Sequence, residues 1–375
     1  MKHTTRLAGT IALAASAPFA MAQSSLNISG VLDAGLQRVE TFDRASSTRM
    51  SGGGFQTSRL RFTGTEDLGS GLKAQFFLEM RVNLDNGVSD PLGMFSRASW
   101  VGLSGENWGA LRFGRQNAPS GTVVCAIDLH WCGSGFNASG IFYNGTNQAG
   151  RWIVPNAGRG GNGNAGVSVY SGGTGVAGSA DSARINNSVV YESKRVAGFQ
   201  GTVMYALGEA GSNPVNGNGN HLGASLTYAS GPLYLAASFE SVEADPLWNA
   251  KGRVVMLGGT YKFGDLRMGA IVQKESASGP AARWTSASSW ALTSAYRMGA
   301  FEPFLKVGTH RTNGTGSYGI VNGADAKMLN IGTVYDLSKR TRLYLDYAKD
   351  FAGSAGAGAN RVDPSQLQIG LQHNF

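Results

Sequence analysis

The sequence is poor in charged residues, in cysteine and in long apolar runs. Charged residues make up 15% of the 375-residue chain, and apolar residues make up 42%. Beyond an apolar N-terminal run, no stretch approaches the roughly 20 consecutive apolar residues that a membrane-spanning helix needs. A helical membrane protein is therefore excluded. The remaining classes are a secreted soluble protein and a membrane barrel, whose strands are only half apolar.

Cysteine is scarce, because Cys125 and Cys132 are the two cysteines of the chain. No cluster of His or Cys completes four ligands around them, which argues against a metal site. We therefore expect no metal and no cofactor. In an oxidising compartment, a disulfide between these two residues is the expected state.

The N-terminus predicts export to such a compartment. Lys2 and Arg6 precede an apolar run, and Ala20-Met21-Ala22 has the small-residue form that signal peptidase cuts. We predict a secretory signal peptide over residues 1–22 and a mature domain over residues 23–375.

Glycine is abundant, at 55 residues, which is about double its usual share. It has no collagen period, and the pattern around it alternates between apolar and polar residues, as a half-buried strand does. Sixteen segments follow this pattern, with boundaries uncertain by about two to four residues. They are 26–40, 57–66, 72–82, 96–105, 108–116, 185–193, 198–207, 220–230, 232–242, 252–263, 265–276, 287–298, 301–311, 326–336, 341–350 and 365–375.

The connections between these segments alternate between short and long. Short ones such as "LGSGL", "SGP" and "FGDL" are separated by connections of about ten residues or more. This places all long loops at one end, which predicts an all-β, 16-stranded antiparallel transmembrane β-barrel. Many of the apolar positions near the strand ends are aromatic, which favours a lipid interface.

The polar positions, which alternate with the apolar ones along each strand, include many Arg, Lys and Glu residues. A dry core could not satisfy so many charges. The interior is therefore expected to be wet. A soluble β-sandwich is the alternative, but it predicts fewer strands per domain and no aromatic girdles.

Five stretches resemble the general porins of Gram-negative bacteria, particularly the β-proteobacterial type. They are "SGVLDAGLQ" (29–37), "SRLRFTGTEDLGSGLKAQFFLE" (58–79), "FSRASWVGLSGENWGALRFGRQ" (95–116), "RINNSVVYES" (184–193) and the terminal Phe375. Each is weak alone, but five in the family's order span the mature chain.

This resemblance implies a homotrimer in the outer membrane, surrounded by lipid, with a long third loop folded into the lumen. It also implies a basic wall facing acidic residues of that loop. Phe375 matches the family's C-terminal aromatic residue, which is part of the signal read by the barrel-assembly machinery. Arg115 resembles the position that contacts a neighbouring subunit, although an ordinary strand-end arginine is equally compatible with the sequence.

Five charged residues fall on the lumen-facing parity of adjoining predicted strands: Arg59, Arg61, Glu79, Arg81 and Arg97. Arg59, Arg81 and Arg97 lie at strand ends beside long loops, so we expect them at similar height. Clustered arginines in a narrow opening raise the local anion concentration. Alternatively, each arginine is simply paired with a lumen carboxylate such as Glu79.

The segment 117–184 is the candidate constriction loop. It holds two acidic residues, Asp128 and Asp181, which is fewer than the family's loop. Asp128 is our candidate for the acidic side of the constriction, with a solvated loop carboxylate as the alternative. The disulfide between Cys125 and Cys132 would stiffen the loop beside it.

We therefore predict a porin in the outer membrane of a Gram-negative bacterium. It would form a water-filled channel for passive transport of small solutes and inorganic anions, and it would not be an enzyme. A solute-selective channel and a barrel enzyme are the alternatives, but lumen aromatics are dispersed and the histidines lack a partner motif. We expect no nucleic-acid binding despite a pI near 9.5, because the basic residues alternate along strands.

Overall fold

The computed structural model describes residues 25–40, 46–89, 93–130, 154–155, 166–167, 184–207, 218–244, 251–278, 286–313, 326–351 and 365–375. Its strands are β1 (Ser25–Glu40), β2 (Ser46–Ser51), β3 (Arg59–Gly69), β4 (Leu72–Arg81), β5 (Ala98–Gly105), β6 (Gly109–Asn117), β7 (Val154–Pro155), β8 (Gly166–Val167), β9 (Arg184–Glu192), β10 (Phe199–Ala206), β11 (Asn218–Ser230), β12 (Leu233–Ala244), β13 (Lys251–Phe263), β14 (Leu266–Ser278), β15 (Ser286–Tyr296), β16 (Phe301–Asn313), β17 (Ala326–Asp336), β18 (Thr341–Asp350) and β19 (Ser365–Asn374). One helix, α1 (Pro119–Ile127), follows β6 in this part of the chain.

The strands form a closed antiparallel barrel, because β1 pairs with β19 as well as with the strands that follow it. Residues 31–40 of β1 pair with residues 365–374 of β19. Gly30 and Phe375 also exchange backbone hydrogen bonds of 3.0 and 3.2 Å at this seam. The C-terminal residue therefore closes the wall.

The barrel has sixteen strand positions in the described residues, as predicted. β7 and β8 form a separate two-stranded ladder, and β2 and β3 share one position. β2 pairs with residues 35–40 of β1, whereas β3 pairs with residues 25–31. The sequence predicted a single strand at this position. It missed β2, which is separated from β3 by residues 52–58.

The two faces of the wall differ in the predicted way, and the last strand shows it most clearly. In β19, Leu367, Ile369 and Leu371 are exposed on the outside, whereas Gln368 and Gln372 are buried on the inside. Leu226 in β11 is likewise 52% exposed. An apolar outer face suits hydrocarbon, and amide-lined inner positions suit a wetted lumen.

In the described residues, no helix has both the length and the hydropathy to cross a membrane. Residues 1–22 lie outside the described residues, so the signal peptide stays a prediction.

Candidate functional site

The first feature of the lumen is the basic wall, formed by Arg59, Arg61, Arg81 and Arg97. In the register of β3 and β4, Arg59 lies opposite Arg81, and Arg61 lies opposite Glu79. Arg97 precedes β5, and its backbone N–H donates to the Glu79 carbonyl at 3.2 Å. The register therefore brings all five predicted wall residues together.

Glu79 is the shared counter-ion of this wall. Its carboxylate accepts a hydrogen bond from Arg61 Nε, lies 2.7 Å from Arg97 Nε, and lies 3.7 Å from Arg59 Nε. One negative charge thus faces three positive charges. The side chains of Arg59, Arg97 and Glu79 are 10%, 7% and 7% exposed, whereas that of Arg61 is 32% exposed. Arg61 is therefore the member of this cluster most accessible from the lumen.

Two further arginines enlarge the positive charge. Among the described residues, the Nε of Arg81 is buried and has no hydrogen-bond partner. Arg184, the first residue of β9, is 9% exposed, and its charge acts on Arg59. The sequence analysis placed Arg184 where the loop 117–184 meets the stretch 184–193, and it did not include this residue in the basic wall. Its position at the start of a strand is the signal that could have placed it beside the wall.

The second feature is α1, which begins the candidate constriction loop and packs on the inner faces of β10 to β14. Pro119 stands at its first turn, where a missing N–H costs nothing. The backbone N–H of Ser120 donates to Glu240 Oε1 of β12 at 2.7 Å, and the Ser120 hydroxyl donates to the same oxygen. A carboxylate at a helix N-terminus is favourable because free N–H groups and the helix dipole meet there.

Glycine lets the helix approach the wall. A Cβ on Gly258 of β13 would lie 2.7 Å from Ile127 Cδ1 and 2.5 Å from the Ala270 carbonyl oxygen. Val123, Val124 and Ile127 are each 1% exposed. The apolar side of α1 is therefore fully used in covering this part of the lumen wall.

The chain beyond α1 is fixed by a buried ion pair. Asp128 Oδ1 lies 2.6 Å from Lys306 Nζ of β16, with side chains 3% and 2% exposed. The structure thus places the predicted acidic residue against a lysine, which cancels its charge. Cys125 forms a disulfide, whereas Cys132 lies outside the described residues, as does most of the loop.

His130 follows this ion pair and packs on the barrel wall. Its ring centroid lies 4.2 Å from that of Phe304, and its Nε2 lies 3.6 Å from Glu302 Oε1. Burial, followed by the positive charge of Lys306, holds the pKa of His130 well below its ordinary value of 6.5. His130 is therefore neutral at pH 7.

Arg115 makes contacts within its own chain. Its Nε donates to the Ser96 carbonyl, and its Nη1 donates to Asn186 Oδ1 at 2.6 Å and to the Arg184 carbonyl at 3.3 Å. These bonds join the start of β9 to the segment before β5. The predicted contact of Arg115 with another subunit stays a prediction.

Comparison with known proteins gives a consistent result. A family model described as Gram-negative porin matches residues 9–355. Outer membrane porin protein 32 of Delftia acidovorans is 29% identical, over 97% of this chain and 98% of its own length. A solved anion-selective porin from Comamonas acidovorans aligns with a TM-score of 0.73 and 25% identity, over 94% of this chain and all of its own. OmpT of Vibrio cholerae, solved in a trimer form, is similar in fold, with a TM-score of 0.62 and 14% identity over 94% of this chain and 99% of its own.

Proposed function

Because this chain belongs to the Gram-negative porin family and forms an outer-membrane channel for passive diffusion, we propose that the channel prefers anions at its narrowest point. The observation that carries the proposal is the sharing of Glu79 by Arg59, Arg61 and Arg97. Arg81 adds a further positive charge beside them. An excess of arginine in a confined lumen attracts anions and repels cations.

The opposite side of the lumen supports the same proposal. There Asp128 is paired with Lys306, and Glu240 is 1% exposed beneath α1. Glu302 lies 2.5 Å from Arg267 Nη2 and 2.7 Å from Arg297 Nε. The negative charges are therefore covered or paired, and they offer a passing cation little attraction. We propose that the loop 117–184 narrows the lumen against the basic wall.

Our proposals about assembly rest on the likeness to a relative solved as a trimer and on the seam between β1 and β19. A relative that is solved as a trimer supports a homotrimer for this chain, embedded in outer-membrane lipid. The exposed ring of Phe375 stands at the end of the last strand. We propose that the barrel-assembly machinery reads it before the seam closes. Diffusion makes and breaks no bond, and we propose no catalytic role.

The test is the reversal potential of the purified protein in a planar bilayer under a potassium chloride gradient. We expect chloride to carry most of the current, and Arg81→Ser to shift the potential towards neutrality. Arg195→Ser is the matched control, because it removes the same charge from an exposed short turn away from the basic wall. A cation-selective wild type, or equal shifts in the two variants, would overturn the anion proposal.

A further inference from the structure

The segment between β2 and β3, residues 52–58, departs from the barrel wall; we call it the inward segment. It lies within one strand position of the wall, because Ser51 pairs with Gly35 of β1 and Arg59 pairs with Val31 of the same strand. Here Phe55, Gln56, Thr57 and Ser58 are between 0% and 5% exposed. The segment therefore lies inside the lumen and is packed there.

Asp33 of β1 fixes the inward segment in place. Its carboxylate accepts hydrogen bonds from the backbone N–H groups of Phe55 at 3.4 Å and Gln56 at 2.9 Å. Its backbone N–H donates to Ser58 Oγ at 2.8 Å, and that hydroxyl donates to the Asp33 carbonyl at 3.0 Å. The Tyr344 hydroxyl donates to the same carboxylate at 2.8 Å. Such a buried and satisfied network gives one defined conformation.

Glycine permits the entry of the segment. Gly53 has a φ of +135°, which side chains rarely allow. A Cβ on Gly54 would lie 2.6 Å from Gln368 Oε1 of β19. The segment thus lies directly on the amide-lined inner face of the wall.

The inward segment meets the first part of the third loop, just beyond α1, at a cluster of rings, the aromatic junction: Phe55, His130, Phe304 and Tyr344. The Phe55 ring stacks on Tyr344 at 4.9 Å and lies 6.0 Å from the His130 ring and 6.1 Å from the Phe304 ring. Among the described residues, Phe55 therefore joins the inward segment to the first part of the third loop.

The inward segment also leads directly into the basic wall. Ser58 precedes Arg59, and the Ser58 carbonyl accepts a hydrogen bond from the backbone N–H of Val82 at 3.0 Å. The segment thus connects the arginines on one side of the lumen with the aromatic junction on the other.

We propose that the inward segment is a second constriction element, and that Phe55 sets the pore's limiting width by holding the first part of the third loop, just beyond α1, through the aromatic junction. The proposal rests on the channel function above. It assigns size selection to Phe55 and leaves charge selection to the arginines, so the two properties can be separated by mutation.

The test is Phe55→Ala, examined in planar bilayers and by swelling of liposomes in neutral sugars of increasing size. Loss of the ring should raise the unitary conductance roughly 1.5-fold and admit larger sugars, with the reversal potential unchanged. Phe113→Ala is the matched control, because it removes an equally large ring from the outer face. Phe55→Leu should restore most of the restriction.

Tyr344→Phe gives a second measurement if Phe55→Ala fails to assemble. It keeps the ring and removes the hydroxyl that donates to Asp33, so a smaller rise in conductance is expected. Wild-type conductance and sugar exclusion in every folded variant would overturn the proposal while leaving the channel function intact. A wild type that forms no channel would overturn both the constriction proposal and the channel function. A cation-selective wild type with a widened Phe55→Ala pore would overturn only the proposal that the channel prefers anions.

Discussion

The basic wall and the opposite, helix-covered wall contain the same kinds of charged groups but pair them differently. On the basic wall, three arginines share Glu79. Just beyond α1, by contrast, one carboxylate, Asp128, pairs with one lysine, Lys306. The comparison shows that the net charge facing the lumen depends on how the charged side chains are paired. A count of Arg and Glu residues alone does not reveal this net charge.

The substitution with the largest expected effect on this difference is Glu79→Gln. Removing the shared carboxylate takes a buried ion-pair partner away from Arg59 and Arg97. Breaking such a buried arrangement costs about 3 kcal/mol or more. We expect a clear fall in the free energy of unfolding, measured by denaturant titration of the detergent-solubilised barrel. The folded fraction should also be more anion-selective than the wild type.

Glu192→Gln is the matched control for this test. Glu192 pairs with Arg112 at 3.0 Å, but the two side chains are 35% and 24% exposed, respectively. Such an accessible pair contributes about 0–1 kcal/mol. Equal losses in the two variants would show that Glu79 is not a buried counter-ion and would remove the contrast between the walls.

A smaller effect is expected on the covered wall. Lys306→Gln frees the charge of Asp128, which should shift the reversal potential towards cations and loosen the first part of the third loop, just beyond α1. Adding Asp128→Asn removes the freed charge, so the double variant should regain the wild-type ion preference. A double-mutant cycle on the reversal potential measures this coupling. Additive shifts would mean that the two side chains do not interact in the open channel.

Alternation along single strands, together with the alternation of short and long connections, predicted the barrel, but it did not place Arg184 beside the basic wall. Each strand position specifies a face, because side chains alternate with period 2. That is why Arg59 and Arg61 could be assigned to the lumen, and why Gln368 and Leu371 fall on opposite faces of β19. Pairing of an arginine with Glu79 was one of two alternatives that the sequence left open, but the sharing of Glu79 by three arginines was not foreseen.

The lumen elements could not be predicted in the same way, because their positions depend on contacts distant in sequence. Ser120 of α1 meets Glu240, which is 120 residues away. The inward segment reads "GGGFQTS" and has no period, so it gave no signal of strand or helix. A lone phenylalanine after three glycines was the one feature that could have drawn attention to it.

The smallest expected effect concerns pH and His130, which links the two walls through the aromatic junction. The groups around it are Glu302, the cations Lys306, Arg267, Arg297 and Arg342, and Asp128, whose Oδ1 accepts the His130 backbone N–H at 3.2 Å. Protonation would place a further positive charge among these cations at a buried site.

The pKa of His130 is lowered when the ring is packed in the aromatic junction and ordinary when the ring is released to solvent. At pH values between these two pKa values, the packed state therefore binds fewer protons than the released state. The stability of the packing is therefore fully present above about pH 6.5 and declines as the pH falls below it. We expect the unitary conductance of the wild type to rise modestly between pH 7 and pH 5, as the first part of the third loop loosens. His130→Gln should lack this rise, because it cannot titrate. An identical pH profile in the variant would assign the change to another group and would separate the junction from the width of the pore.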